Sequence, residues 1–210
     1  MHALLLTVFI DTVGFGIVLP LLPYFAEQFG AQPGIVPLLA TVYSFTQFLM
    51  APVWGRLSDK IGRRPIILIT IGGIMLGYLW LAAAGSLLML FLARAFTGPM
   101  ASNGGVINAY VADVTSPQER AKGMGRMGAA HGLGFVMGPA IGGLLAGNDP
   151  ANPNLQLPFL VAAGLSAAAL AIGWFQVRET VSAESRRVAR ARVGGRLAAL
   201  RDALGRPQLG

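Results

Sequence analysis

Residues 55–65 read GRLSDKIGRRP. Seven of the eleven are charged or glycine, yet the segment lies between two of the most apolar runs in the chain. Outward from it the composition is 54% hydrophobic and only 12% charged, with mean hydropathy +0.62. A soluble domain carries about 25% charged residues. A hydrocarbon layer roughly 30 Å thick takes about 20 apolar residues of helix. Six runs of that order stand at residues 3–26, 36–54, 66–85, 87–112, 127–146 and 157–177. Six such helices in 210 residues describe an all-α membrane protein that crosses the bilayer repeatedly. The first run begins almost at Met1, lacks a basic leader and outlasts a signal core, so it is expected to be an uncleaved span. The chain has no cysteine, which excludes disulfides and thiolate metal sites. No metal or cofactor is expected.

The charges give the orientation. Arg56, Lys60, Arg63 and Arg64 lie between the second and third runs. Arg120, Lys122 and Arg126 lie between the fourth and fifth, and eight arginines follow the sixth. Fifteen of the 16 Lys and Arg thus fall on one side if the spans alternate. The positive-inside rule makes that side cytoplasmic, with both ends of the chain there. Charges so placed set topology and meet anionic headgroups, which accounts for a net charge of +7 without nucleic acid. The segment at 55–65 is then a cytoplasmic turn, with Gly55 and Gly62 available for close approach or unusual backbone angles. Asp59 among four cations suggests local ion pairing. Topogenic charge alone does not account for Gly, Asp, Gly and paired Arg at these spacings.

The stretch GRLSDKIGRRPIIL resembles the loop signature between helices 2 and 3 of the major facilitator superfamily. Four more matches follow in the family's order on the expected elements: DTVGFGIVLPLLP at 11–23, LARAFTGPMAS at 92–102, YVADVTSPQERA at 110–121 and GLGFVMGPAIGG at 132–143. Within the superfamily the chain is similar to tetracycline exporters and their multidrug-efflux relatives. The resemblance implies the N-terminal half of a twelve-helix fold: a six-helix bundle of two inverted three-helix repeats over 1–177, then a basic cytoplasmic linker over 178–210. It implies alternating access, with protons entering in exchange for a small amphipathic compound, in a multi-pass bacterial inner-membrane protein. The partners implied are a small-molecule substrate, protons, lipid, and a C-terminal six-helix half or a second copy. The alternative is a six-helix protein that does not transport and acts by association. An enzyme is not expected, since no G-x-S-x-G or H-E-x-x-H motif is present.

Arg94 is the only Lys or Arg inside a span, and an intramembrane charge should face a cavity or a partner. At 100° per residue Gly98, Ala101, Gly105 and Asn108 share its stripe, and Asn103 falls on the opposite side. Resemblance assigns Arg94 to proton coupling. Thr97 stands where family members often have Gln. Asp11 lies about 12 Å into the first span. Two roles are open for it, a coupling carboxylate or a helix-packing acid. Resemblance places Asp59, Arg63, Arg64, Asp113 and Arg120 in a cytoplasmic latch with Gly55 and Gly62. Gly134, Gly138 and Gly142 make a small-residue face beside Pro139 and Gly143, suited to close helix packing. Gln47, Asn108 and His131 are candidates for the substrate cavity, with Tyr43, Phe45, Phe48 and Trp80 as possible aromatic walls. Tetracycline exporters carry an acid in the middle of helix 3, where this chain has Gly77. That departure points toward a different multidrug substrate.

Overall fold

The computed structural model describes residues 1–147, 154–184 and 186–187. Among these residues the chain is helical and contains no strand. The first span is α1 (His2–Val18), a 3-10 turn (Leu19–Leu21) and α2 (Leu22–Gln28). Pro20 and Pro23 sit in the opening positions of the turn and of α2, where a missing N–H costs little. The second and third spans are α3 (Val36–Ile61) and α4 (Arg63–Ala82). The fourth is divided into α5 (Leu87–Met100) and α6 (Gly104–Val114). The fifth and sixth are α7 (Arg120–Ala146) and α8 (Gln156–Gln176). Five of these spans, the first counted through its 3-10 turn, are long and apolar enough to cross a membrane, and the broken fourth completes the six expected.

The polar knot is not the open turn expected from the sequence. Helix α3 runs through it to Ile61 and α4 restarts at Arg63, so one residue, Gly62, joins them. Its φ of 116° lies where side-chain-bearing residues are strained. Asp59 and Arg63 pair across the joint, so the helices need no loop where the apolar run ends. In the same way α7 starts at Arg120, seven residues before the apolar run.

Helix α1 packs on both α7 and α8, α4 on α8 and α5, and α3 on α5. The core forms two clusters. One gathers Val13, Ile17, Phe25, Leu81 and Phe159, and the other Leu4, Val8, Ile66, Ile67 and Val111. The α1/α7 contact brings two backbones together. A Cβ added to Gly138 would lie 2.5 Å from Gly16 Cα and 2.8 Å from the Val13 carbonyl. Gly134 meets Thr12 and Gly142 meets the Ile17 backbone, so the expected glycine face is a backbone-to-backbone seam. A Cβ added to Gly143 or Gly55 would meet nothing within 4 Å among the described residues, so neither takes part in this seam. Helices α3 and α7 are the least buried, exposing Phe48, Val53, Val136 and Leu144. The helical leucine spacing at 197, 200 and 204 falls outside the described residues.

Candidate functional site: an acid-lined cavity and an arginine network

The break in the fourth span builds the wall of a cavity. Pro99 lies in the last turn of α5, and residues 101–103 form a turn rather than helix. Backbone polar groups freed inside a membrane must find partners in the protein. Trp54 Nε1 donates to the Pro99 carbonyl at 2.6 Å, as does Ser102 Oγ. Gln47 Nε2 donates to the Ala101 carbonyl at 3.0 Å. Asn103 Nδ2 donates to Thr70 Oγ1 on α4 at 2.9 Å. The opened turn is thus fastened to α3 and α4.

The cavity has a volume of about 390 Å³. Asp11, Thr12 and Phe15 enter it from α1, Tyr43 and Gln47 from α3, and Tyr78 from α4. Thr97, Asn103, His131 and Phe135 complete the polar and aromatic lining. One Asp11 oxygen is buried without a hydrogen-bond partner among the described residues. Phe15 stacks against Tyr43 at 5.8 Å and edge-on against Phe135 at 5.7 Å, giving a continuous aromatic wall. His131 Nδ1 lies 3.0 Å from the Met127 carbonyl.

The sequence-predicted residues divide. Asp11, Gln47 and His131 meet in the cavity. Asn108 does not: it is exposed on α6 and absent from the lining. Asn103, expected on the far side of the helix, lines the cavity instead. The break at 101–103 interrupts the 100° progression on which both expectations rest. Arg94 is 1% exposed and is not part of the lining. Its guanidinium stacks on the Tyr43 ring at 3.9 Å, and it forms no ion pair among the described residues. Cation–π attraction strengthens when the pair is desolvated, which suits such a site. Phe45 and Phe48 are exposed, and Trp80 packs on Phe96 at 5.9 Å, so none of the three is a cavity wall. The two departures at Gly77 and Thr97 touch each other: a Cβ on Gly77 would overlap the Thr97 methyl group. A side chain at position 77 would therefore have to displace α5.

At the basic end, Arg63 is the hub. It pairs with Asp59 at 2.7 Å and with Asp113 at the end of α6 at 3.5 Å. Thr180 Oγ1 donates to the same Asp113 oxygen at 2.9 Å. Arg120 instead reaches the Ala112 carbonyl and forms no ion pair with Asp113 among the described residues. Arg64 lies on Trp174, 5.5 Å above the ring, and donates to its carbonyl. Sequence reasoning missed Glu179. Its Oε1 accepts from Arg63 N at 2.9 Å, capping α4 from a segment 116 residues away. It also accepts from the amides of Thr180 and Val181. A carboxylate at a helix N-terminus complements the helix dipole. The available signal was Glu179 as the first of two acids among the arginines just past the last span.

A sequence profile of the Major Facilitator Superfamily matches residues 4–209. The chain is 38% identical over 183 residues to the class C tetracycline resistance protein of Escherichia coli, covering 86% of this chain and 45% of that one. It is 28% identical to multidrug resistance protein 2 of Bacillus subtilis, with 87% and 45% covered. The crystal structure of the human organic anion transporter MFSD10 superposes with TM-score 0.77 at 28% identity, covering 88% of this chain and 48% of that one. The chain spans about half the length of the curated relatives it matches. Six spanning helices, the motif order and this profile together show that the chain belongs to the Major Facilitator Superfamily.

Proposed function

We propose that this chain supplies one six-helix half of a proton-coupled efflux transporter for a small amphipathic compound, working by alternating access. The observation that carries the reading is Asp11, an acid in a spanning helix at the wall of an aromatic-lined cavity, with one oxygen unpartnered. An intramembrane acid that has not been neutralised by a partner is suited to exchange a proton for a substrate. Arg94, stacked on the Tyr43 wall, is the only Lys or Arg within the six apolar runs and would respond to changes there. The Arg63 network ties the ends of α3, α4 and α6 to the segment after α8, as a latch that holds one state requires. The exposed apolar faces of α3 and α7 suit a second six-helix half. Kinship with tetracycline and multidrug resistance proteins supports a drug-like substrate.

Proteoliposomes carrying the chain, alone and with a C-terminal six-helix half supplied in trans, provide the test. Substrate-dependent proton flux is expected only with both halves, and Asp11→Asn should abolish it. The same exposed faces also suit a second reading, association without transport. Crosslinked homodimers with no flux in any combination would favour that reading and count against the first.

A further inference from the structure

Seven serine and threonine side chains are buried among the described residues. Five of them, Thr12, Ser58, Thr70, Thr97 and Ser102, give the hydroxyl proton to a backbone carbonyl three or four residues earlier. Such back-bonding satisfies a hydroxyl within its own helix. Thr7 and Ser166 do otherwise. Both are 0% exposed, and neither hydroxyl has a hydrogen-bond partner among the described residues. Asp11 Oδ1 is the third buried side-chain oxygen in that condition.

The three oxygens belong to one seam. On α1, Thr7, Asp11 and Gly14 share a stripe about 60° wide at 100° per residue. On α8, Ala162, Ser166 and Gly173 share one about 40° wide. The stripes meet at both ends. A Cβ on Gly14 would lie 3.5 Å from the Ala162 carbonyl oxygen, and one on Gly173 would lie 3.9 Å from the Thr7 methyl group. The helices therefore run in opposite directions, and Asp11 and Ser166 fall between these two contacts. Side chains lean toward the start of their helix, so the Asp11 carboxyl leans over Thr7. The separations are ordinary van der Waals distances, unlike the 2.5 Å and 2.8 Å approaches of Gly138 to α1, so this seam is the looser one. Asp11 also lines the cavity. Its enclosed Oδ1 thus faces the seam, and Oδ2 is the oxygen that meets the cavity.

We infer that Thr7, Ser166 and Asp11 Oδ1 bind one water in the α1/α8 seam, and that this water confines the exchangeable proton of Asp11 to Oδ2, at the cavity. The inference rests on the reading of Asp11 as the proton-exchanging acid. An internal water makes about three hydrogen bonds to buried polar groups that lack other partners, and three such oxygens stand here. Left unpaired, each would bear the full cost of its desolvation. Both hydroxyls donate to the water oxygen and fill its two lone pairs. Only the protons of the water then remain for Oδ1, which must accept. A proton on Oδ1 would meet a donor and point away from the cavity, so the proton is taken up and released on Oδ2. No proton passes through the water. Thr7 and Ser166 act on Asp11 through it and are positioning residues.

Difference infrared spectroscopy on the full chain in lipid nanodiscs, with aspartate carboxyl carbons isotope-labelled, provides the test. The carboxylic C=O band that Asp11→Asn removes belongs to Asp11. A hydrogen bond to the carbonyl oxygen lowers its frequency. Ser166→Ala and Thr7→Val should each shift the band to higher frequency, because the water at Oδ1 loses a partner. Ser166→Thr and Thr7→Ser keep the hydroxyl and should leave the band near its wild-type position. Exchange into water enriched in heavy oxygen should move one O–H stretch in the wild type and in both conservative variants. That response should be lost when Ser166→Ala and Thr7→Val are combined. Amide bands in the same spectra report whether each variant keeps its helices. An Asp11 band unmoved by both Ser166→Ala and Thr7→Val overturns the inference. So does a band that the conservative variants fail to restore, or a heavy-oxygen response that survives the combined change. Each of these outcomes leaves Asp11 standing as a proton-exchanging acid. Absence of any Asp11-dependent C=O band in the wild type, at every pH the bundle tolerates, would show that Asp11 takes up no proton and would remove that reading as well.

Discussion

Pro99 and Pro139 present the same chemical problem in two helices and are solved differently. Each removes an N–H from a spanning helix and leaves a carbonyl one turn back without its donor. Helix α7 continues through Pro139 without interruption, from Arg120 to Ala146. Helix α5 ends one residue after Pro99, and the chain turns before α6 begins. The neighbours differ. Around Pro139 the partner is α1, whose Gly16 brings backbone against backbone and carries no side-chain donor. Around Pro99 the partner α3 carries Trp54 and Gln47, whose N–H groups reach the carbonyls of Pro99 itself and of Ala101, in the turn that follows rather than one turn back. A proline sets where a membrane helix is weak, and the donors opposite it decide whether the helix opens. Here the opening lies at the cavity, and the closed helix forms the seam beside it.

If the seam is held by backbone contact, it should have no tolerance for added volume. Gly138→Ala puts its Cβ 2.5 Å from Gly16 Cα and 2.7 Å from Gly16 C, and neither atom can move without moving α1. A loss of about 3 kcal/mol is expected, the upper range for overpacking. Reversible denaturation in mixed micelles would measure it. A near-neutral result would mean that α1 and α7 are not clamped together. The α4/α5 contact is equally tight but ends on a side chain. Gly77→Ala should cost about 2 kcal/mol. Thr97→Ser removes the methyl group it meets and keeps the hydroxyl bond to Ala93, so the double variant should recover most of that loss. Simple additivity of the two changes would show that the contact does not couple the helices.

Much of the fold was legible because span length and charge bias are set by the bilayer and not by tertiary detail. All six apolar runs became helical spans, and the glycines at 134, 138 and 142 packed as their spacing implied. The site was less legible. Periodicity assumes an unbroken helix, and the turn at 101–103 exchanged the places of Asn103 and Asn108 relative to the cavity. The signal was present in Pro99, but no sequence rule says whether a neighbouring helix will supply Trp54 and Gln47. Arg94 was legible as a buried charge, but its stacking on Tyr43 depends on how α3 and α5 face each other. Glu179 was illegible for another reason. It caps α4 across 116 residues, and nothing local to 62–64 calls for it.

The contrast between the two prolines becomes sharper through the donors. Trp54→Phe keeps the aromatic volume and deletes the N–H to the Pro99 carbonyl. That carbonyl retains Ser102, so the expected loss is about 1 kcal/mol. A larger change should appear in hydrogen exchange at the start of α6, because the turn loses one of its fastenings. If exchange there is unchanged, the break is set by Pro99 alone.

Pro139→Ala should do least. Alanine restores an N–H within hydrogen-bonding reach of the Phe135 carbonyl in a helix that already follows a helical path. The gain of one internal bond is offset by the greater freedom of alanine in the unfolded chain. The net change should stay within about 1 kcal/mol of zero. Because Pro139 Cδ lies against the position of a Gly16 Cβ, the same variant relieves one wall of the seam. Gly16→Ala, costly alone for its 3.0 Å approach to Gly138 Cα, should then remain costly in the Pro139→Ala background. Rescue there would assign the seam to the proline ring; persistence of the cost assigns it to the glycine backbones, and so separates what Pro139 does from what Pro99 does.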